Sequence, residues 1–153
     1  MTTTRKKNFK THFSVASWGF HYHEDGDRSG KTEDVDYDTL LKSLGAEVVE
    51  MINCGSWQGD FVTLLKKNGK FGFVVVGYGS CTYCDALQGC ESLEELEALR
   101  DSLEAQIKWG TAKGLAAHLD NLDPANHWWM YEDETKAAVS KIYDILAKET
   151  ENL

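Results

Sequence analysis

The sequence is poor in proline and cysteine, with one proline and four cysteines among 153 residues. So little proline, beside 13 glycines, excludes collagen-like and low-complexity classes. Four cysteines are too few to hold a chain of this length together by disulfides. A reducing compartment would keep them as thiols, thiolates or metal ligands.

Long apolar runs are missing as well. No run approaches the roughly 18 residues that a membrane span needs, and the polar, basic N-terminus lacks the apolar core of a signal peptide. We therefore expect a cytoplasmic protein without membrane contact. Hydrophobic residues make up 42% of the chain, which is enough for a packed globular core.

Basic residues are scarce beyond the N-terminus. The net charge is −9 although the first ten residues carry +4, so the remainder carries −13. A body this acidic repels phosphate backbones, and we expect no direct nucleic-acid binding. Basic protein partners, a DNA-mimicking role and plain solubility all fit the charge, and a homo-oligomer is compatible with it.

Four runs of β-forming residues predict strands. The pair Asn68-Gly69 separates two apolar runs and favours a two-residue type I′ turn, because both residues tolerate positive φ. The run after this turn is apolar on both faces, which is typical of a strand buried on both sides. The predicted strands cover about 12–22, 46–53, 60–67 and 70–78.

Helical patterns dominate the second half of the chain. Ser92 and Glu95 have capping-box spacing, and a leucine stripe follows them. A short helix is also predicted from about Asp38, ending at Gly45. The C-terminal helices cover about 92–109, 111–120 and 131–149. Together these elements predict an α+β fold, with a basic arm over 1–10 and a single domain over 11–150 in which helices cover an antiparallel meander.

An acidic loop over 25–36 has the spacing of a calcium-binding loop. Oxygen-bearing side chains occupy most of the ligand positions, but Asp36 stands where a bidentate glutamate is usual, which weakens the affinity. A solvated acidic loop is the favoured interpretation, with calcium as the alternative. His21 and His23 would share one face of the first strand, so a two-histidine metal contact is a further alternative to two surface histidines.

Three of the four cysteines fall within ten residues, after the strand predicted over 70–78. The Cys81-x-x-Cys84 spacing suits a shared metal ion or a reversible disulfide. The preceding hairpin leaves no βαβ unit, and Asp85 would raise the thiol pKa, so both features weaken the redox interpretation. Structural zinc and small buried thiols stay open. The candidate zinc ligands are Cys54, Cys81, Cys84 and Cys90.

The same stretch, GYGSCTYCDALQGC, carries a resemblance that extends from Trp57 to about Trp129. This region resembles a family of small proteins of tailed bacteriophages and prophages with a YGSC[ST]xCDALQ(x)C motif. It departs from the family pattern at Thr82-Tyr83, where serine and glycine are expected. The matching residues are Gln58, Gly59, Asp60, Tyr78, Gly79, Ser80, Cys81, Cys84, Asp85, Leu87, Gln88, Cys90, Trp109, Trp128 and Trp129. The resemblance implies a phage origin and a location in the host cytoplasm, and it supplies no reaction.

Small phage accessory proteins often disarm the host, so the resemblance implies host takeover or counter-defence. No catalytic set can be placed, because Asp60, Asp85 and the five histidines lie in different predicted elements. We therefore interpret the protein as one that binds a host immune protein or a small nucleotide signal, and whether it is an enzyme stays open. Aromatic side chains could stack on a nucleobase, and polar loops could line a pocket. The candidate ligand-binding residues are Trp57, Asp60, Tyr83, Asp85, Trp128 and Trp129.

Two alternative functions stay open. One is an acidic DNA-mimic inhibitor, because the predicted helix after the cysteines carries six acids in fourteen residues, a pattern that a solvated helix face also explains. These acids are Glu91, Glu94, Glu95, Glu97, Asp101 and Glu104. The other is a thiol-based or zinc-dependent protein that uses Cys81 and Cys84.

Overall fold

The computed structural model describes residues 36–80, 85–122 and 131–151. These residues fall into two compact units, one of 36–46 with 85–105 and one of 47–80 with 106–122 and 131–151. The basic arm over 1–10, the strand predicted over 12–22 and all but the last residue of the candidate calcium loop lie outside the described residues.

The described part of the first unit begins with a short helix, α1, over Tyr37–Lys42. Asp36 caps it, since its carboxylate accepts a hydrogen bond of 2.8 Å from the backbone N–H of Thr39. This last position of the candidate calcium loop therefore has a local role in starting a helix. The chain leaves the helix region through Gly45, whose φ of 80° favours glycine, as the sequence predicts.

The second helix of this unit, α2, covers Leu93–Gln106. The Oγ of Ser92 accepts from the N–H of Glu95 at 3.2 Å, and the Glu95 carboxylate accepts from the N–H of Glu91 at 2.9 Å. The predicted capping of this helix start is therefore confirmed. Leu96 and Leu103, from the predicted leucine stripe, are buried.

The second unit is built on a four-stranded antiparallel sheet in the order β1-β2-β3-β4. The strands are β1 over Glu47–Gly55, β2 over Gly59–Lys67, β3 over Lys70–Tyr78 and β4 over Lys108–Gly110. Asn68 and Gly69 have φ of 52° and 78°, so both take the positive values that a type I′ turn needs. The part of the predicted meander over 46–78 and its central turn are confirmed.

The predicted extension of the helix to residue 109 is wrong, because α2 ends at Gln106 and β4 begins at Lys108. Trp109 pairs with Gly72 of β3. A Cβ on Gly72 would lie 2.8 Å from the Trp109 ring, so the missing side chain is what lets the indole pack there. Pairing with a strand distant in sequence overrides the local helical pattern at this point.

Two further helices, α3 over Ala112–Asp120 and α4 over Glu132–Glu151, pack on one face of the sheet. The Thr111 hydroxyl caps α3 by accepting from the N–H of Gly114 at 3.0 Å. The shared core contains Val62, Leu64, Phe71 and Phe73 from the strands and Leu115, Leu119, Ile142 and Leu146 from the helices. The predicted α+β class, with C-terminal helices over an antiparallel sheet, is confirmed. None of the described helices has the length and apolar character needed to cross a membrane.

Candidate functional site

The turn between β1 and β2 holds a tryptophan out in solvent. Gly55 and Gly59 face each other across the strands, and Ser56, Trp57 and Gln58 form the three-residue loop between them. A Cβ on Gly59 would overlap the carbonyl oxygen of Cys54, and Gly55 has a φ of 146°. This close backbone approach fixes the turn, and the Trp57 side chain is 80% exposed at its apex.

Tyr131 lies at the same end of the sheet, just before α4. Its ring comes within 3.0 Å of the position that a Cβ on Gly55 would occupy, so it contacts the backbone of the turn that carries Trp57. Tyr131 is 37% exposed. Among the described residues, Trp57 and Tyr131 are the only large hydrophobic side chains that count as exposed, and both lie at this turn.

Polar side chains on β1 and β3 flank the turn. The Tyr78 hydroxyl donates a hydrogen bond to Oδ1 of Asn53, and the Tyr78 ring stacks on Phe61 with centroids 4.5 Å apart. Burial raises the pKa of Tyr78 and the Asn53 hydrogen bond opposes this, while nearby Tyr131 adds to the rise. We call Asn53, Trp57, Tyr78 and Tyr131 the tip surface.

Asp60 lies behind the tip surface, not on it. It pairs with Cys54 on one side and Gly77 on the other, and it is buried. A Cβ on Gly77 would lie 3.7 Å from Oδ1 of Asp60, so the carboxylate reaches across the bare backbone of β3. The predicted ligand-binding residues Trp57 and Asp60 therefore share one hairpin, but only the indole is presented to solvent.

The flank of the tip surface is acidic. Glu132, Asp133 and Glu134 follow Tyr131 in the first turn of α4, and all three are exposed. An exposed ion pair of 3.8 Å joins Glu132 to Lys136, and solvent screens such a pair strongly. The surroundings of the two exposed aromatic rings therefore favour a positively charged partner surface over a phosphate.

Cys54, one of the candidate zinc ligands, is fully enclosed beneath α4. Its thiol donates to the carbonyl oxygens of Glu134 at 3.6 Å and Ile52 at 3.9 Å. Burial raises the pKa of the Cys54 thiol, and the charges of Glu134 and Asp60 add to this, whereas Thr135 opposes it. A thiol held neutral in this way fits the interpretation as a small buried residue.

Cys90 is also buried, and its sulfur donates to the carbonyl oxygen of Ala86 at 3.3 Å. Across the parts of the chain that the structure describes, no group of three or more histidine, cysteine, aspartate or glutamate residues could hold a metal ion. Cys81 and Cys84 lie outside the described residues, so the four-cysteine zinc site stays a prediction.

Asp85, a predicted ligand-binding residue, is buried and bonded within its own unit. Its Oδ1 accepts from the Tyr37 hydroxyl at 2.7 Å and from the backbone N–H groups of Leu87 at 2.9 Å and Gln88 at 3.3 Å. A carboxylate that accepts several such bonds orders the chain around it. This geometry gives Asp85 a structural role, and a ligand contact by it stays a prediction.

The Tyr37 contact predicts a pH dependence of stability. Burial, followed by the hydrogen bond and charge of Asp85, raises the pKa of Tyr37 above its ordinary value of 10.0. The folded state thus holds this proton more tightly, so the stabilisation is complete below about pH 10 and is lost as the pH rises further. Tyr37→Phe is expected to cost about 1 kcal/mol near neutral pH, and its deficit against the wild type should shrink above about pH 10. Urea unfolding across this range measures the deficit, and a gap that stays constant or widens contradicts the assignment.

The acids that suggested a DNA mimic do not all lie on one outer face. Glu97 is 4% exposed, and Asp101 contacts the guanidinium of Arg100 at 3.3 Å. Glu95 accepts the capping hydrogen bond from Glu91. Glu91, Glu94, Glu95 and Glu104 are exposed. The exposed acids are thus fewer than the sequence pattern indicates, and part of the set stabilises the helix itself.

Sequence reasoning predicted Trp57 but missed Tyr131 and Asn53. Tyr83, Trp128 and Trp129 lie outside the described residues, so their predicted contacts stay predictions. A signal for Tyr131 was present, because an aromatic residue directly before three acids at a helix start is not part of the buried stripe of that helix. Nothing local indicates Asn53, which joins the surface only through the pairing of distant strands.

No protein-family model matches the chain, and no curated protein or solved structure matches it either. The function is therefore inferred from the described residues and from the motif resemblance. The most informative of these residues are the two exposed aromatic side chains at one end of the sheet.

Proposed function

We propose that the protein acts by binding a partner protein through the tip surface, without chemical turnover. The motif resemblance suggests the setting, which is host takeover or counter-defence in the cytoplasm of a bacterial host, with a host immune protein as the partner. The observation that carries the proposal is the meeting of Trp57 and Tyr131, the two exposed large hydrophobic residues of the described chain, at a single turn.

Exposed tryptophan and tyrosine are typical centres of protein interfaces. They bury a large area with few rotatable bonds, and they account for many of the residues that dominate binding energy. The tip surface adds a polar edge, because Asn53 is exposed and the hydroxyl of Tyr78 lies beside it. An apolar centre with a polar edge is the usual anatomy of a specific interface.

The turn also supports the proposal through its rigidity. Gly55 and Gly59 bring the two backbones close together at the base of the loop, which limits the conformations of the three residues between them. An aromatic residue presented on a fixed turn loses little conformational entropy on binding, so more of its contact energy contributes to affinity.

Charge favours a protein partner over a nucleotide. The acids of the α4 first turn lie next to Tyr131, and an acidic flank repels phosphate groups. The same flank complements a partner whose pocket for the indole has a basic edge. A nucleotide signal is therefore the weaker of the two ligand classes at this surface.

The proposal predicts that a partner is retained through Trp57. Immobilised wild-type protein should retain a bacterial protein from lysate, Trp57→Ala should lose it, and Trp57→Phe should keep part of it because the ring still fills a pocket. Lys113 is exposed on α3, so Lys113→Ala is the matched surface control and should retain the partner protein fully. Mass spectrometry of the eluates, for proteins and for small molecules, reads out the result.

Three results count against the proposal. Equal retention of the same proteins by wild type and Trp57→Ala would place the interface elsewhere. Retention of a nucleotide that Trp57→Ala releases would favour the nucleotide ligand. Release of a chemically altered small molecule would favour an enzyme.

A further inference from the structure

Within the described chain, β4 covers only part of the β3 edge that faces it. β3 covers nine residues, whereas β4 covers three and pairs only with Phe71, Gly72 and Phe73. Beyond Phe73, the strands of the described chain provide no partner on this side. Among the described residues, segment 74–78 therefore has no strand paired along this edge, and an unpaired edge is a common template for strand addition.

The turn geometry identifies which backbone groups lie on this edge. In a two-residue hairpin the residues flanking the turn, Lys67 and Lys70, form a hydrogen-bonded pair, and the direction of the backbone groups then alternates along β3. The register with β2 is continuous, so the N–H and C=O groups of Val75 and Gly77 point away from β2. No hydrogen-bond partner for these groups occurs within 36–80, 85–122 or 131–151. Gly77 is exposed.

A small pocket lies where β4 leaves this edge. Its volume is about 190 Å³, below the roughly 300–1,000 Å³ typical of sites for whole small-molecule ligands. It is therefore sized for one side chain of a larger partner. Its lining includes Phe73, Val75 and Leu122 as apolar walls and Gln106, Lys108 and His118 as polar groups.

The charge of this pocket differs from that of the chain. Lys108 is a cation, His118 can donate a hydrogen bond from its ring, and the lining contains no carboxylate. In a protein of net charge −9, this is a local site for an anionic group. Backbone groups on the adjoining edge would hold a strand, and the pocket would select one acidic side chain from it.

We propose that β3 binds an extended peptide segment of a partner protein, which adds as a strand along Val75 and Gly77 and places a glutamate or aspartate in the Lys108–His118 pocket. Main-chain hydrogen bonds supply affinity in this mode, and the pocket supplies specificity. The inference does not depend on Trp57 or Tyr131, since none of its polar contacts involves them, although Tyr78 belongs both to the tip surface and to the end of this edge.

The probe is a short, blocked, fluorescein-labelled peptide in which threonine and valine alternate around one central glutamate. Glutamine and lysine versions differ from it only at the centre. Anisotropy titration should show saturable binding of the glutamate peptide to the wild type. Affinity should fall about fivefold for the glutamine peptide, because the amide keeps an acceptor oxygen but loses the charge that makes such a hydrogen bond about twice as strong. The lysine peptide should not bind.

Two protein variants separate the edge from the pocket. Gly77→Pro removes one edge N–H while leaving the β2 pairing intact, and it should weaken binding about fivefold. Gly77→Ala is the matched control, because its Cβ makes only an ordinary contact of 3.7 Å and its N–H is kept. Lys108→Gln should erase the preference for glutamate over glutamine, and Trp57→Ala should bind the peptide like the wild type.

Hydrogen exchange at Val75 and Gly77 checks the edge directly. Their amides should exchange fast in the free protein and slow on addition of the glutamate peptide. Slow exchange in the free monomer would show that the edge is already covered and would overturn the proposal. So would self-association that Gly77→Pro abolishes, since the occupant would then be a second copy. Failure of the glutamate peptide to bind, or equal binding by wild type, Gly77→Pro and Lys108→Gln, would overturn it as well.

Discussion

Asp85→Ala is expected to lower the free energy of unfolding by about 3 kcal/mol, because it removes a buried charged acceptor from several donors at once. The Tyr37 hydroxyl and the N–H groups of Leu87 and Gln88 would lose their shared partner inside the protein. For a chain of this size the melting temperature should fall by about 6–12 °C. Calorimetry and urea unfolding measure both quantities.

Asp85→Asn is the matched control for this change. It keeps an acceptor oxygen in nearly the same place but removes the charge, so it should lose about half as much stability as the alanine variant. If Asp85→Ala instead unfolds like the wild type and only weakens ligand binding, then the carboxylate is a ligand contact and the structural role is wrong.

Gly59→Ala is expected to destabilise the second unit by about 1–3 kcal/mol or more, because the added methyl group cannot fit without moving backbone. Its Cβ would overlap the carbonyl oxygen of Cys54 and lie 2.9 Å from the Cα of Gly55. Since neither atom belongs to a flexible side chain, relief requires the turn itself to open. The variant should therefore lose partner binding through Trp57 along with stability.

Gly77→Ala provides the comparison for Gly59→Ala. Both positions lie in strands and gain one methyl group, but at Gly77 the nearest atom is Oδ1 of Asp60 at an ordinary 3.7 Å. Its unfolding free energy should stay within about 0.5 kcal/mol of the wild type or rise slightly. If the two variants are equally destabilised, the close backbone approach at the turn is not the reason why position 59 requires glycine.

Local signals in the sequence were sufficient for the elements that local chemistry controls. Asn68-Gly69 identifies a hairpin because few other pairs tolerate positive φ at both positions, and Ser92 with Glu95 identifies a helix start. The predicted end of that helix is wrong because Trp109 continues a helical pattern in the sequence but pairs with Gly72, 37 positions earlier in the chain. Periodicity depends only on residues close together in the sequence, so it gives no information on a partner as distant as Gly72.

In the candidate site, too, the features that depend on neighbouring residues were predictable and those that depend on distant residues were not. Trp57 is recognisable because it stands among small and polar residues in a turn, whereas Tyr131 reaches the turn only through the docking of α4. Asp85 looked like a binding residue because it is a carboxylate beside cysteines. Its partner Tyr37 is 48 residues away, so sequence alone could not show that the carboxylate is already occupied.

The most direct test of the proposed function is the affinity of the retained host protein for wild type, Trp57→Ala, Trp57→Phe and Lys113→Ala, measured by calorimetric titration. Trp57→Ala should raise Kd by about 30-fold or more, which corresponds to about 2 kcal/mol of interface energy. Its melting temperature should be unchanged, since the indole is 80% exposed. The Kd of Trp57→Phe should lie between those of the wild type and Trp57→Ala, and the Kd of Lys113→Ala should match that of the wild type. A change in Kd of less than about twofold is typical of an interface residue that contributes little to binding. If the Kd of Trp57→Ala stays within that range of the wild-type Kd, the proposal that the tip surface is the binding site is contradicted.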